Sequence, residues 1–372
     1  MQVPSLRSLL LKELVKCEKL KEVELSTLMS NQLFDVLATF FGSSQAIQQF
    51  VKCDQFEEDF AQLLQCFYRK NTSFLACVQS SYDDAANKKT TQHTLALLAS
   101  QLTKPLILFA TFAQHKPMID ALMKRSVMEE LNRLSKFATT CKNVEWLDWI
   151  KNHLLLLLDK LSSHPDFNQL FFGKKDDQWF YKWLFEIIIP TNSTVTTSDE
   201  KMREENRSHS KQESGNNANN SAMQISCATR IVLRQIQIET QQQTTKENIP
   251  TDPSNDSHIV QCIVANVSFF DGLFATLRHN EKDEILANVA LILKHVVAYC
   301  KTKKEGNMFK KSLVTHLPCI MDLLRSKVLG VRKNGALLLS QIATWDDTMK
   351  ESVRSVGGIT ALMQLHNEVV KQ

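Results

Sequence analysis

"NVALILKHV" (288–296) and "NGALLLSQI" (334–342) decide how this chain folds. They align without a gap at an offset of 46, with Asn288 on Asn334, Ala290 on Ala336, Leu291 on Leu337, Leu293 on Leu339 and Val296 on Ile342. Their apolar residues recur every three or four positions, the period of a helix with one buried stripe. Upstream of each lies a shorter apolar helix, "DGLFATLR" (271–278) and "PCIMDLLR" (318–325), at an offset of 47. The closing stretch "VGGITALMQLHNEVVKQ" (356–372) repeats that second pattern, with Ala361, Leu362 and Leu365 following Ile320, Met321 and Leu324 at an offset of 41. The repeating unit is therefore a short helix, a corner, a medium helix, a polar turn and a longer apolar helix. Gly272, Pro318 and Gly357-Gly358 are the expected corners, because a steep turn between helices needs residues without bulk.

Composition agrees with an all-α chain. Of 372 residues 43% are hydrophobic, enough for a core, and strands of alternating polarity are nearly absent. The net charge of +4 is too mild to make nucleic acid the main partner. It is unevenly spread: residues 294–333 hold ten bases and two acids, so the remainder sums to −4. That run reads as a solvated helical face or as a surface for an acidic partner. Nine cysteines stand singly, none within ten residues of another, which fits reduced thiols in a cytoplasmic protein. The N-terminus, with Glu13, Glu18, Glu22 and Glu24, does not read as a signal peptide. The apolar region 94–113 is interrupted by Lys104-Pro105, which predicts two packed helices rather than a membrane span.

Periods of 40–47 residues with two or three helices mark helical solenoids. The stretch "VRKNGALLLSQIATWDDTMKESVRSVGGITALMQL" (331–365) resembles one armadillo repeat running into the next, in its small Ala336 within an apolar third helix and its "VGGI" start. The resemblance is clear over 256–372 and fainter upstream. It implies an all-α, right-handed α-solenoid of armadillo-like three-helix repeats. In the peptide-binding import adaptors of that family, the third helix carries a Trp and, four residues on, an Asn along the concave face. Leu291 and His295, and Leu337 and Gln341, stand at those positions here. The resemblance therefore does not extend to a receptor for nuclear-import signals; an acidic or helical partner, as for the catenin-like members, suits the basic run better.

The same rhythm continues upstream. Residues 43–67 read as a first and second helix, 126–138 and 144–161 as a second and third, and 164–189 as a first and second with Gly173 at the corner. The matching third helix is 222–239. Between them, 190–221 has almost no apolar residue and reads as a disordered insertion; 240–257 reads as a shorter loop. The expected organisation is divergent N-terminal repeats over 1–189, the insertion over 190–221, and C-terminal repeats over 222–372, the last incomplete.

Nothing in the sequence makes a catalytic or metal constellation. The ten histidines include no His-x-x-x-His pair, and no phosphate-binding glycine loop or nucleophile elbow occurs. The paired acids Asp83-Asp84, Asp176-Asp177 and Asp346-Asp347 fit helix N-termini. Trp146 and Trp149, and Trp179 and Trp183, share helix faces and fit packing between repeats or an exposed platform.

The expectation is a non-enzymatic scaffold or adaptor with no cofactor, small-molecule substrate or membrane span, in the cytoplasm with possible nuclear access. Its partner segment would lie along the concave groove near Leu291, Lys294, His295, Lys333, Leu337 and Gln341. The apolar last helix, with Leu362 and Met363, is a second candidate surface. The alternatives are a co-chaperone or assembly factor, and nucleic-acid binding through 294–333.

Overall fold

A computed structural model describes residues 10, 11, 13, 14, 16, 17, 23–83, 88–140, 145–172, 178–189, 213–244, 257–303 and 306–370. Among them every regular element is a helix, and seventeen follow one another from residue 23. Helix α1 (Val23–Phe40) precedes a set of three, α2 (Ser44–Val51), α3 (Phe56–Asp83) and α4 (Lys88–Phe112). The next set is α5 (Lys116–Leu122), α6 (Arg125–Thr140) and α7 (Glu145–Leu161). Then come α8 (Phe167–Phe172), α9 (Gln178–Ile188) and α10 (Glu213–Thr244), followed by α11 (His258–Val264), α12 (Val267–His279) and α13 (Asp283–Thr302). The chain closes with α14 (Asn307–Leu324), α15 (Leu329–Ala343), α16 (Asp347–Ser355) and α17 (Gly358–Val370).

By internal packing the chain divides into two units, Met1–Asp176 and Asp177–Gln372. In the first, the third helices stack: α4 lies between α1 and α7. Phe41, Phe50, Phe60 and Phe112 are buried to within 1% and knit α2, α3 and α4 together, with Phe41 and Phe112 ring centroids 5.0 Å apart. Each such ring contributes about 1.5–3 kcal/mol by leaving water. In the second unit α13 packs on both α10 and α15. Phe270 meets Phe274 and Phe309, and Thr276 Oγ1 donates to the Ile188 carbonyl at 2.7 Å, tying α12 to the end of α9.

The corners differ from expectation in two of three cases. Helices α11 and α12 cross at 92°. The turn lies at Ala265-Asn266, where the Asn266 side chain caps α12 by accepting from Ser268 N; no glycine is needed. Gly272 sits inside α12, where a Cβ would fall 2.5–2.8 Å from Ile189, so its small size serves close packing. Pro318 makes no corner either: α14 runs unbroken through it. Pro318 and Val314, whose carbonyl loses its helical donor, both lie on the exposed side of α14, where water can take that carbonyl. Gly357 is a corner, joining α16 to α17 with φ at 76°.

Helix α4 likewise continues through Lys104-Pro105, because α1, α3 and α7 grip it on several sides. The proline costs about 3 kcal/mol in an isolated helix, which such packing exceeds. By length and composition alone, 93–112 and 283–302 would suffice to cross a membrane. Both are third helices packed against neighbours on two sides. Of the expected insertion, 190–212 lies outside the described residues, whereas 213–221 belongs to α10, as does 240–244 of the expected loop. Extending a packed helix is cheap once it is nucleated, even with polar residues. Gly173 and Asp176-Asp177 lie outside the described residues.

Candidate partner-binding face

The third helices of the second unit present the face the sequence pointed to. On α13, Val289, Ile292, Leu293, Val296 and Val297 are fully buried, as are Val331, Leu338, Leu339 and Ile342 on α15. The other side of α13 carries Leu291, Lys294 and His295, all half-buried, and that of α15 carries Lys333, Leu337 and Gln341. Hydrogen bonds fix the register between the two: Asn334 Nδ2 donates to the Ala287 carbonyl at 2.9 Å, and Lys301 Nζ to Thr344 Oγ1 at 3.1 Å. The six residues thus lie on neighbouring helices of one ladder. Leu362 and Met363 do not join them; they lie on α17, Leu362 half-buried and Met363 64% exposed.

The face mixes apolar and basic side chains: Leu291 shares a side of α13 with Lys294, and Leu337 a side of α15 with Lys333. Leu337 is 41% exposed. Neither Lys294 nor Lys333 has an acidic group within ion-pair distance among the described residues. Burial, and then the neighbouring Lys294 charge, push the His295 imidazole down to about 4, so it is neutral at pH 7. On α10, Arg230 and Arg234 stand one turn apart on the same ladder. Arg230 ion-pairs with Glu284 at the start of α13, and Ser226 Oγ donates to the same carboxylate at 2.8 Å. Burial opposes ionisation of Glu284, but these hydrogen bonds hold its carboxyl below the usual range. The two arginines escaped the sequence reading because a long polar stretch separates α10 from its repeat; their i, i+4 spacing was the available signal.

The rest of the basic run is dispersed. Lys310 pairs with Asp346 and lies over the Trp345 ring, Arg325 pairs with Asp322, and Lys303 lies over Tyr299. The first unit's ladder is instead internally paired: Lys104 Nζ meets Asp35 Oδ1 at 2.6 Å and Asn31 Nδ2 donates to Ser100 Oγ at 3.2 Å. Burial, with Lys104 nearby, lowers the His153 pKa. Trp149 is 52% exposed there, while Trp183 is buried in the second unit.

Among the described residues no three His, Cys, Asp or Glu side chains converge as a metal site. The nearest thing to a relay joins α12 and α14. Ser312 Oγ donates to Asp271 Oδ1 at 2.5 Å, His316 Nε2 lies 3.7 Å from the same oxygen, and Arg278 Nη2 lies 2.6 Å from His316 Nδ1. The serine is bonded to the carboxylate and not to the imidazole, so no nucleophile–base pair forms. Asp346 does cap a helix, accepting from Met349 N, whereas Asp83 closes α3.

No protein-family model matches the chain, and no curated protein is found similar to it. Among solved structures, an engineered protein of the Northeast Structural Genomics Consortium aligns over 96% of this chain and 74% of its own, with TM-score 0.52 and 13% identity. A designed armadillo repeat protein aligns over 89% of this chain and 99% of its own, with TM-score 0.46 and 11% identity. A second, in complex with the peptide (KR)4, aligns over 71% and 85%, with TM-score 0.41 and 12% identity. With its three-helix sets, steep first corner and stacked third helices, the chain has an armadillo-like repeat fold of no particular subfamily.

Proposed function

We propose that the protein is a non-enzymatic scaffold that holds an acidic segment of a partner protein along the third-helix face of α10, α13 and α15. The observation that carries this reading is the exposed Leu337 one turn from Lys333 on α15, matched on α13 by Leu291 one turn from Lys294, with neither lysine ion-paired among the described residues. Apolar side chains flanked by like charge favour a segment with apolar anchors and carboxylates, the apolar part giving affinity and the charges register and on-rate. The scattered cysteines suit a reducing compartment such as the cytoplasm. Nucleic-acid binding is less well supported, since Lys310, Arg325 and Arg332 of the basic run already face carboxylates within the fold.

The test is a paired capture. Partners bound by the wild-type chain are compared with those bound by a Lys294→Glu, Lys333→Glu variant. Loss of a set of acidic partners in the variant supports the reading; equal recovery by both proteins contradicts it.

A further inference from the structure

A groove of about 390 Å³ lies between α14, α15 and α17, apart from the third-helix face. Its floor is apolar, formed by Met321, Leu324, Ala361 and Leu365. Its polar lining holds two guanidiniums, Arg325 and Arg332, the neutral Thr360 and Gln364, and one carboxylate, Glu368.

Arg332 is under-used. Its side chain is 26% exposed, and its Nε is buried without a hydrogen-bond partner among the described residues. Its only carboxylate contact is a long one, 3.4 Å from Nη1 to Glu368, whose own side chain is 59% exposed. A guanidinium taken most of the way out of water with a donor left unmade is costly, and a carboxylate that engages Nε and Nη together, once the side chain turns to bring Nε to the groove, is its best complement. Arg325 stands at the rim, 74% exposed and paired only with the equally exposed Asp322.

We propose that this groove docks an acidic segment of a partner protein. One carboxylate takes Arg332 with Arg325, and an adjoining aliphatic side chain seats on Met321 and Leu365. With Arg332 held only loosely by Glu368 and Arg325 paired only with an exposed Asp322, the two guanidiniums select an anionic occupant, and the floor selects an apolar neighbour to the acid. The site does not depend on the third-helix face, since Lys294 and Lys333 take no part in it.

The test is an NMR titration of the full chain, labelled at the arginine side chains and methionine methyls, with the capped peptide Asp-Leu-Asp-Leu. Saturable shifts are expected at Arg332 Nε–Hε and at the Met321 methyl. The capped peptide Asn-Leu-Asn-Leu should leave them in place. Arg332→Gln should weaken binding, read at Met321, about tenfold, with Arg325→Gln weakening it in the same direction. A Lys294→Ala, Lys333→Ala variant should leave the Arg332 shift intact. No saturable shift, an equal response to the amide peptide, undiminished binding by Arg332→Gln, or loss of the Arg332 shift in the lysine variant would each overturn the proposal.

Discussion

Gly272 and Gly357 are both glycines that the repeat pattern singles out, yet they are required for different reasons. Gly357 has φ at 76° and open space where a Cβ would be, so Gly357→Ala meets backbone strain alone. The expected cost is about 1 kcal/mol, seen as a lower urea midpoint with the slope unchanged. Gly272 is helical, and a Cβ there collides with Ile189. Gly272→Ala should cost about 1–3 kcal/mol through overpacking, and Ile189→Ala in the same chain should recover part of the loss. No recovery in the double variant would show that the glycine acts through something other than this contact. The sequence marked both positions, but only the packed structure separates a conformational glycine from a steric one.

The histidines give a pH dependence of definite sign. His295 is held near 4 in the fold and titrates near 6.5 in the unfolded chain. Above pH 6.5 both states are neutral and the residue costs nothing. Between about 6.5 and 4 the unfolded state binds the extra proton, so stability falls as pH drops through that window. His153 and His316 are shifted in the same direction, each chiefly by burial, and add to the slope. His295→Gln should flatten part of it when urea midpoints are compared at pH 7.5 and pH 5. A slope unchanged by that substitution would place the acid sensitivity elsewhere.

At the scale of elements, the unbroken α14 departs most from the sequence reading. A proline between two apolar stretches looks like a corner, and at 318 it is not one. If α14 is continuous, Pro318→Ala restores a backbone donor and relieves the ring's clash with the preceding turn. It should be neutral or stabilising by up to about 3 kcal/mol, with helicity preserved by circular dichroism. Were Pro318 a true corner, the same change would destabilise. The sharp start of α16 is the opposite case, a sequence signal that held. Asp346 accepts from Met349 N and pairs with Lys310, and its hydrogen bonds, those from Lys310 foremost, lower its pKa. Asp346→Ala should cost about 1 kcal/mol, the usual loss of an N-cap, whereas Asp346→Ser should retain most of it.

At the scale of the molecule, the third helices were legible because each must bury one stripe against two neighbours. That demand repeats Leu293 and Val296 as Leu339 and Ile342, all fully buried. The first and second helices were harder to bound. Their junctions can be made by an asparagine cap at 266, by no break at all at 318, or by a left-handed glycine at 357. Of the candidate face, Leu291, Lys294, His295, Lys333, Leu337 and Gln341 were placed by register. Arg230 and Arg234 were not, because a long polar stretch separates α10 from its repeat, and the α14–α15–α17 groove was not, because it depends on contacts between segments that no local period encodes.

The proposed seat of the partner segment is the third-helix face of the second unit. Photo-crosslinking from single sites in the full chain tests it most directly, with a benzophenone side chain at position 337 and, as a control, at position 315, an exposed residue of α14. An acidic partner is expected to crosslink from 337 and not from 315. Crosslinking from both positions alike, or from 315 alone, would contradict it.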